Sequence, residues 1–416
     1  MGFPRDTKTP LRILIITAIV IVGLATRMRA VALLPIDFDE DDYLRAAQLY
    51  ASIIRKGSWH ELPNVSFTSE HPALAKLLYG LILATLPPAD EIPEHSPADP
   101  AAESLPQPHL NLARATSAAL GSLEVLLLAL LDPLAAFFLA THTFTIKYTS
   151  HVMLEALPSV TSAIAVIAYK RSGSYTGKGW SSWLAVSAIA VGLTASGKYA
   201  YCVAPAAILI HWLCISRVTN RRYSMPDLGL CYQVVLWCML AAAVFWATNP
   251  FLWHSTLPPL FQSVRYHVDF SHGDLVKLMN FPFFMPIIWL FEWPPWHPTV
   301  FPFGPDPLIA LSAILGLRSL WKRDSVYVVW IVTALVFLFI WPTKWPQYVL
   351  ILTFPWSLAA AEGFRTVLLP RIQHHLHLRT HRSADTDEPN EDTPPNTRVK
   401  PTGPSHSASL RARSSG

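Results

Sequence analysis

The sequence predicts an all-α polytopic membrane protein, and three observations predict it. Of 416 residues, 52% are hydrophobic and 14% charged, where a soluble globular chain carries roughly 25% charge. The apolar residues come in blocks, and the mean hydropathy is +0.32. The 15 Trp and 20 Phe suit a chain whose aromatic side chains gather at membrane interfaces. Backbone polar groups have no water to bond in the bilayer core, so each block reads as a helix.

Taken in order, Arg5, Lys8 and Arg12 precede an apolar run from Ile13 to Ala25 with no small-residue cleavage site. That run reads as a signal anchor retained as the first span. Further spans are expected near 114–131, 133–148, 154–170, 181–196, 198–215, 229–248, 306–318, 325–341 and 348–363, the first being 11–33. The total is about ten. Lys170, Arg171 and Lys178, then Arg217, Arg221 and Arg222, then Arg318, Lys322 and Arg323 mark three loops as cytoplasmic by the positive-inside rule. Both ends then lie inside. Segments 73–87 and 281–292 are short for a span of about 20 residues. The first is read as a helix in or dipping into the outer leaflet, with a true span as its competitor.

The transmembrane module covers 1–370, with a first outer loop at 34–113 and a second at 249–305. Long loops on a membrane protein usually bind something. Residues 87–110 are rich in Pro, Glu and Asp and read as flexible. The tail, 371–416, reads as a disordered cytoplasmic segment. Its histidines His374, His375, His377 and His381 read as a solvated polar face rather than a metal site.

The net charge of +4 is small and its basic residues are scattered, which excludes a nucleic-acid partner. Cys202, Cys214, Cys231 and Cys238 sit in or beside apolar segments without metal-ligand or disulfide spacing.

The sharpest local signal is Asp37-Phe38-Asp39-Glu40-Asp41-Asp42, beyond the first span. Crowded carboxylates repel one another and raise one another's pKa. Helix capping explains one or two of them, hardly five in six positions. A calcium loop is rejected, because Asp42 stands where its Gly is required and Gln48 replaces the closing Glu. Tyr43, Ala46, Ala47, Tyr50, Ile53 and Ile54 share one face of an amphipathic helix that comes next. A second signal is Glu70-His71-Pro72-Ala73-Leu74-Ala75-Lys76 at the entrance to an apolar helix. His71 and Lys76 there are either interfacial residues or donors to an anionic group. Arg114, Lys147, Glu155, Lys198 and Lys344 lie at outer ends of spans. Ionisable groups in spans are costly and mark functional sites, although snorkelling explains any one of them alone.

These motifs together resemble the protein O-mannosyltransferase-like family of C-type glycosyltransferases (glycosyltransferase family 39), with aminoarabinose transferases as relatives. Asp39-Glu40 followed by Tyr43 resembles the family's acidic pair. His71-Pro72-Ala73-Leu74-Ala75-Lys76 resembles its His-Pro-Pro-Leu-Gly-Lys motif, with Ala for the second Pro and for the Gly. Arg114, Glu155, the segment Gly192 to Tyr199 with Lys198, and Lys344-Trp345-Pro346-Gln347-Tyr348 resemble later motifs, over residues 11–363. No soluble sugar-binding domain is inserted.

The resemblance implies a GT-C fold with amphipathic helices in the first outer loop. It implies an inverting transfer of a sugar, by family default mannose, from a polyprenyl or dolichyl phosphate to an acceptor hydroxyl, with protein Ser/Thr favoured over lipid or glycan. Asp39 and Glu40 are then the catalytic pair, with Asp39 as base. His71, Lys76, Arg114, Glu155, Lys198, Lys344 and Tyr348 bind substrate, with Lys344, Arg114, Lys198 and Lys76 as phosphate cations in falling order. Asp37, Asp41 and Asp42 are capping or solvated neighbours. No cofactor or divalent metal requirement is expected. The expected partners are membrane lipids, the lipid-phosphate sugar and a protein or glycolipid acceptor. The expected setting is the prokaryotic cell membrane, with the site on its outer face. A polytopic transporter is the alternative from another class. It would place its site near the midplane, whereas these carboxylates crowd an outer loop. A non-catalytic scaffold subunit is a third reading, which the Asp39-Glu40 pair opposes.

Overall fold

The computed structural model describes residues 9–65, 67, 69–89, 105–174, 179–219, 228–294 and 297–374. Most of the tail and of the Pro-rich stretch, with His375, His377 and His381, lies outside the described residues. The chain divides after Leu369 into two units, and every helix up to Gly363 belongs to the first.

Every regular element among the described residues is helical. The first helix, α1 (Thr9–Leu33), ends before the acidic cluster, and α2 (Glu40–Lys56) begins within it. Gly57 closes α2 in the left-handed conformation at φ 69°, a geometry that glycine adopts without steric cost. Tyr43, Ala46, Ala47 and Tyr50 are buried on the expected apolar face, which packs on α3 (Leu74–Leu83). A Cβ on Gly80 would lie 2.5 Å from the Tyr50 Cβ, so the two helices meet closely there.

The next helices are α4 (Gln107–Leu131), α5 (Pro133–Thr141), α6 (Thr143–Tyr148), α7 (Ala156–Ser172), α8 (Ser182–Gly197), α9 (Val203–Thr219) and α10 (Leu228–Ala247). The expected single span at 133–148 is in fact broken. His142 adopts an extended conformation between α5 and α6, and its ring accepts from the Thr145 amide. Asp306 accepts from both the amide and the hydroxyl of Thr143. Side chains thus satisfy the backbone groups that the break frees.

The segment 249–305 carries α11 (Leu257–Ser271), α12 (Asp274–Met279) and α13 (Met285–Phe291). The fold closes with α14 (Asp306–Arg323), α15 (Ser325–Ile340) and α16 (Leu350–Gly363). α1 packs on α4, α7 on α8 and α14 on α16. Gly316 and Gly363 make the last pairing possible, since a Cβ on either would collide with a carbonyl oxygen of the opposing helix. Small residues at such contacts let helix backbones touch where lipid provides no hydrophobic drive.

Three of the described helices are long and apolar enough to cross a membrane: Pro10–Leu33, Gln107–Leu131 and Leu228–Ala247. α8 and α15 are apolar but shorter. At 1.5 Å per residue, the 10-residue α3 and 7-residue α13 fall well short of a hydrocarbon core of about 30 Å. Neither helix crosses by itself.

Candidate active site

The acidic cluster is sorted by what each carboxylate meets. Where the chain leaves α1, three backbone carbonyls have no helical partner, and Arg114 of α4 takes them. Its Nη1 donates to Val31 O (3.2 Å) and Leu34 O (2.9 Å), and its Nη2 to Pro35 O (3.0 Å). Its Nε donates to Glu40 Oε1 at 2.8 Å and its Nη2 to Oε2 at 2.5 Å. A guanidinium has five N–H donors, and these five bonds use all of them. Glu40, fully buried, also accepts from the Val152 amide at 2.7 Å and the Asp37 amide at 3.0 Å. Glu40 and Arg114 therefore lock the turn between α1 and α2 against the 149–155 turn.

Asp37 pairs with Lys147 at 3.0 Å. Burial pushes its carboxyl up, but Lys147 and His151 outweigh that, and it titrates below the usual range. Asp41 is buried. Asp37 is thus ion-paired rather than solvated, and Asp41, in the first turn of α2, is enclosed rather than solvated.

Asp39 is different. It occupies the N-cap position of α2 but makes no capping bond, and its half-buried carboxylate has no hydrogen bond or ion pair among the described residues. Burial pushes its pKa up to about 7. Lys198 opposes the rise, while Glu155, Asp37 and Asp42 add to it. A carboxylate poised near neutrality and free to meet a ligand has the character of a general base.

Facing it electrostatically is a second pair. Glu155 stands at the N-cap position of α7 without a capping bond and is fully buried. Lys198 ends α8, and its ammonium binds Glu155 Oε1 while lying 5.3 Å from the centre of the Tyr348 ring. Among the described residues, Glu155 Oε2 is buried without a hydrogen-bond partner. The His71 ring lies against Tyr43 (5.9 Å between centroids) and His267 (5.1 Å). Burial, with Lys198, His267 and Lys76 nearby, pushes it well below the usual imidazole range, so it is neutral at pH 7. His267 comes from α11, where it and Ser263 hold the Glu70 carbonyl (3.1 and 2.5 Å), and Tyr199 meets its ring edge-on at 6.0 Å. Sequence reasoning singled out the second outer loop but not His267, whose only signal is its place on an amphipathic stretch of that loop.

The structure thus brings Asp39, Glu155, Lys198, Tyr348 and His71 into one neighbourhood, with Glu40 and Arg114 beneath it as supports. Lys76 folds back on the His71 carbonyl at 3.0 Å. Lys344 turns to the end of α15, donating to the carbonyls of Phe339 and Trp341. It borders a separate cavity of about 140 Å³ with Asn280, Phe281, Pro342 and Trp345. No described contact links it to Asp39. Among the described residues no group of three or more His, Cys, Asp or Glu could hold a metal ion.

No protein-family profile and no curated protein matches the chain. Among solved structures, it is similar to ArnT from Cupriavidus metallidurans bound to undecaprenyl phosphate. The identity is 13% and the TM-score 0.53, covering 87% of this chain and 61% of that one. The apo state of the same protein gives 13%, 0.51 and the same coverage. The chain shares the fold of that protein. A third structure, the S. cerevisiae protein O-mannosyltransferase Pmt1-Pmt2 complex bound to the sugar donor, is 19% identical over 62% of this chain and 35% of that one, with a TM-score of 0.44. The chain therefore spans less than two thirds of the length of each of these proteins.

Proposed function

We propose that this chain is an inverting glycosyltransferase that moves a sugar from a polyprenyl or dolichyl phosphate to an acceptor hydroxyl at the outer membrane face. The observation that carries the reading is Asp39, a half-buried carboxylate without a partner among the described residues, raised to about 7 and set beside the Glu155–Lys198 pair. The lipid tail stays between helices and the phosphate and sugar emerge at the site. Asp39 takes the acceptor's hydroxyl proton as the oxygen attacks the anomeric carbon. The bond from that carbon to the phosphate oxygen breaks on the opposite side, inverting the centre, and the phosphate leaves with the electron pair. A fixed cation beside the departing oxygen stabilises it. Lys198 is the first choice here, because it lies within electrostatic reach of Asp39. Arg114 and Glu40 act by holding Asp39 in place, their bonding capacity being filled within the protein. Lys344 and its cavity are assigned to the lipid-phosphate side.

Mannose is the favoured sugar and a protein Ser/Thr hydroxyl the favoured acceptor. Another sugar, moved to a lipid or glycan, is the second reading. The test is turnover of polyprenyl-phosphate mannose, and of a panel of other lipid-phosphate sugars, by the purified protein and its Asp39→Asn variant. Turnover lost in the variant supports the mechanism. Equal turnover in both overturns it.

A further inference from the structure

Two ionisable side chains lie buried in helices away from the site: Arg27 in α1, 0% exposed, and Glu124 in α4, 1% exposed. Arg27 stands six residues before the end of α1, about 9 Å below it. Charges in spans are expensive and persist where they serve a function. Joining α1 to α4 does not need them, since small and aliphatic residues such as Gly23 and Val125 already meet there.

What Arg27 does touch is specific. Its Nη1 donates to Gly23 O at 3.0 Å within its own helix, and its Nε donates to Thr149 Oγ1 at 2.9 Å. Thr149 passes the connection on, donating to Thr145 O at 2.6 Å. Among the described residues, Arg27 Nη2 and Glu124 Oε2 are both buried without hydrogen-bond partners. Gly121 makes room for the contact. A Cβ there would lie 2.6 Å from Thr149 Oγ1 and 2.7 Å from Arg27 Nε, closer than side-chain carbons approach.

Thr149 opens the turn that supplies the site's second wall. Within that turn the His151 ring bridges the carbonyls of Lys147 and Pro35, the Val152 amide donates to Glu40, and the Met153 carbonyl accepts from the Tyr79 hydroxyl. The turn ends at Glu155, the partner of Lys198. The upper contacts fix it from the side of the acidic cluster. Among the described hydrogen bonds of Thr149, the one from the Arg27 guanidinium alone reaches beyond its own segment, and it comes from inside the helix bundle.

We propose that Arg27 is a positioning residue that pins Thr149 from within the helix bundle and so sets Glu155 and Lys198 opposite Asp39. The kinetic consequence rests on the glycosyltransferase reading; the structural one does not. Misplacement of a catalytic group by about 1 Å costs on the order of 100-fold in rate.

Hydrogen exchange and turnover, both on the full chain in lipid nanodiscs, test this with Arg27→Met, Arg27→Lys and Thr149→Val. In Arg27→Met and Thr149→Val, amide exchange across 149–155 should rise on the order of tenfold, the loss of about one buried hydrogen bond, while α10 exchanges as before. The kcat should fall roughly 10- to 100-fold with the KM for the lipid-phosphate sugar within about twofold. Arg27→Lys, which keeps the charge beside Glu124, should recover part of the kcat. Thr149→Val leaves both buried charges in place, so it decides the matter even if Arg27→Met does not fold. Unchanged exchange at 149–155 in Thr149→Val overturns the proposal. If the wild-type protein turns over no lipid-phosphate sugar, the function reading fails alone, and the exchange measurement still decides the positioning role.

Discussion

Arg114 and Glu40 saturate one another: the guanidinium places two of its five donors on the carboxylate, and the carboxylate accepts two further backbone amides. A buried pair with every site filled holds geometry and is unavailable to a ligand. Removing one partner leaves the other charged and uncompensated, at a cost of about 3–5 kcal/mol. Glu40→Gln and Arg114→Met should therefore lower the thermal unfolding midpoint in detergent and lose activity with it. Asp39→Asn should lose activity without that drop. A Glu40→Gln protein as stable as wild type would show that the pair does not hold the turn.

The elevated Asp39 carboxyl predicts the pH profile. A base must be deprotonated to act, so kcat/KM should rise tenfold per pH unit below about 7 and level off above it. The stability effect has the opposite sense. A carboxyl raised from 3.8 to about 7 on folding binds a proton more tightly in the native state. Stability from this group is present below about pH 4 and is lost as pH rises toward 7. Asp39→Asn should remove that slope, as urea unfolding at a series of pH values would reveal.

Lys198 opposes the rise in the Asp39 pKa. Lys198→Met should therefore move the limb of the pH–rate profile to higher pH as well as lower kcat. A variant that loses rate with the limb unmoved would place Lys198 out of reach of Asp39. Glu155→Gln, which removes a charge that raises the Asp39 pKa, should move the limb to lower pH.

The tight contact between α14 and α16 gives a prediction independent of function. A Cβ at Gly316 would meet the Ala359 carbonyl oxygen. Gly316→Ala must therefore part α14 from α16, and overpacking of this kind costs about 1–3 kcal/mol. The thermal midpoint should fall accordingly, whereas Gly179→Ala, which meets nothing within 4 Å, should leave it unchanged.

Much of this architecture is legible in the residues. Helix positions follow from apolar blocks and their flanking charges, which are local properties, and observed helices such as α1, α10 and α15 fall within a few residues of the expected segments. The break at His142 is not legible there, because the group that satisfies the freed Thr143 amide is Asp306, 163 residues away in sequence. The contact of Arg27 with Thr149, 122 residues on, is not legible there either.

Residue order alone establishes that five carboxylates crowd the end of the first helix, and that His71, Arg114, Glu155, Lys198 and Lys344 stand near helix ends. Which carboxylate is free is a matter of three-dimensional packing. Glu40 meets Arg114 across 74 residues and Val152 across 112, and Asp37 meets Lys147. Ion pairing and burial depend on through-space distance, which neighbours in sequence do not share: Glu40 is bonded to capacity, whereas the adjacent Asp39 has no partner among the described residues and a near-neutral pKa.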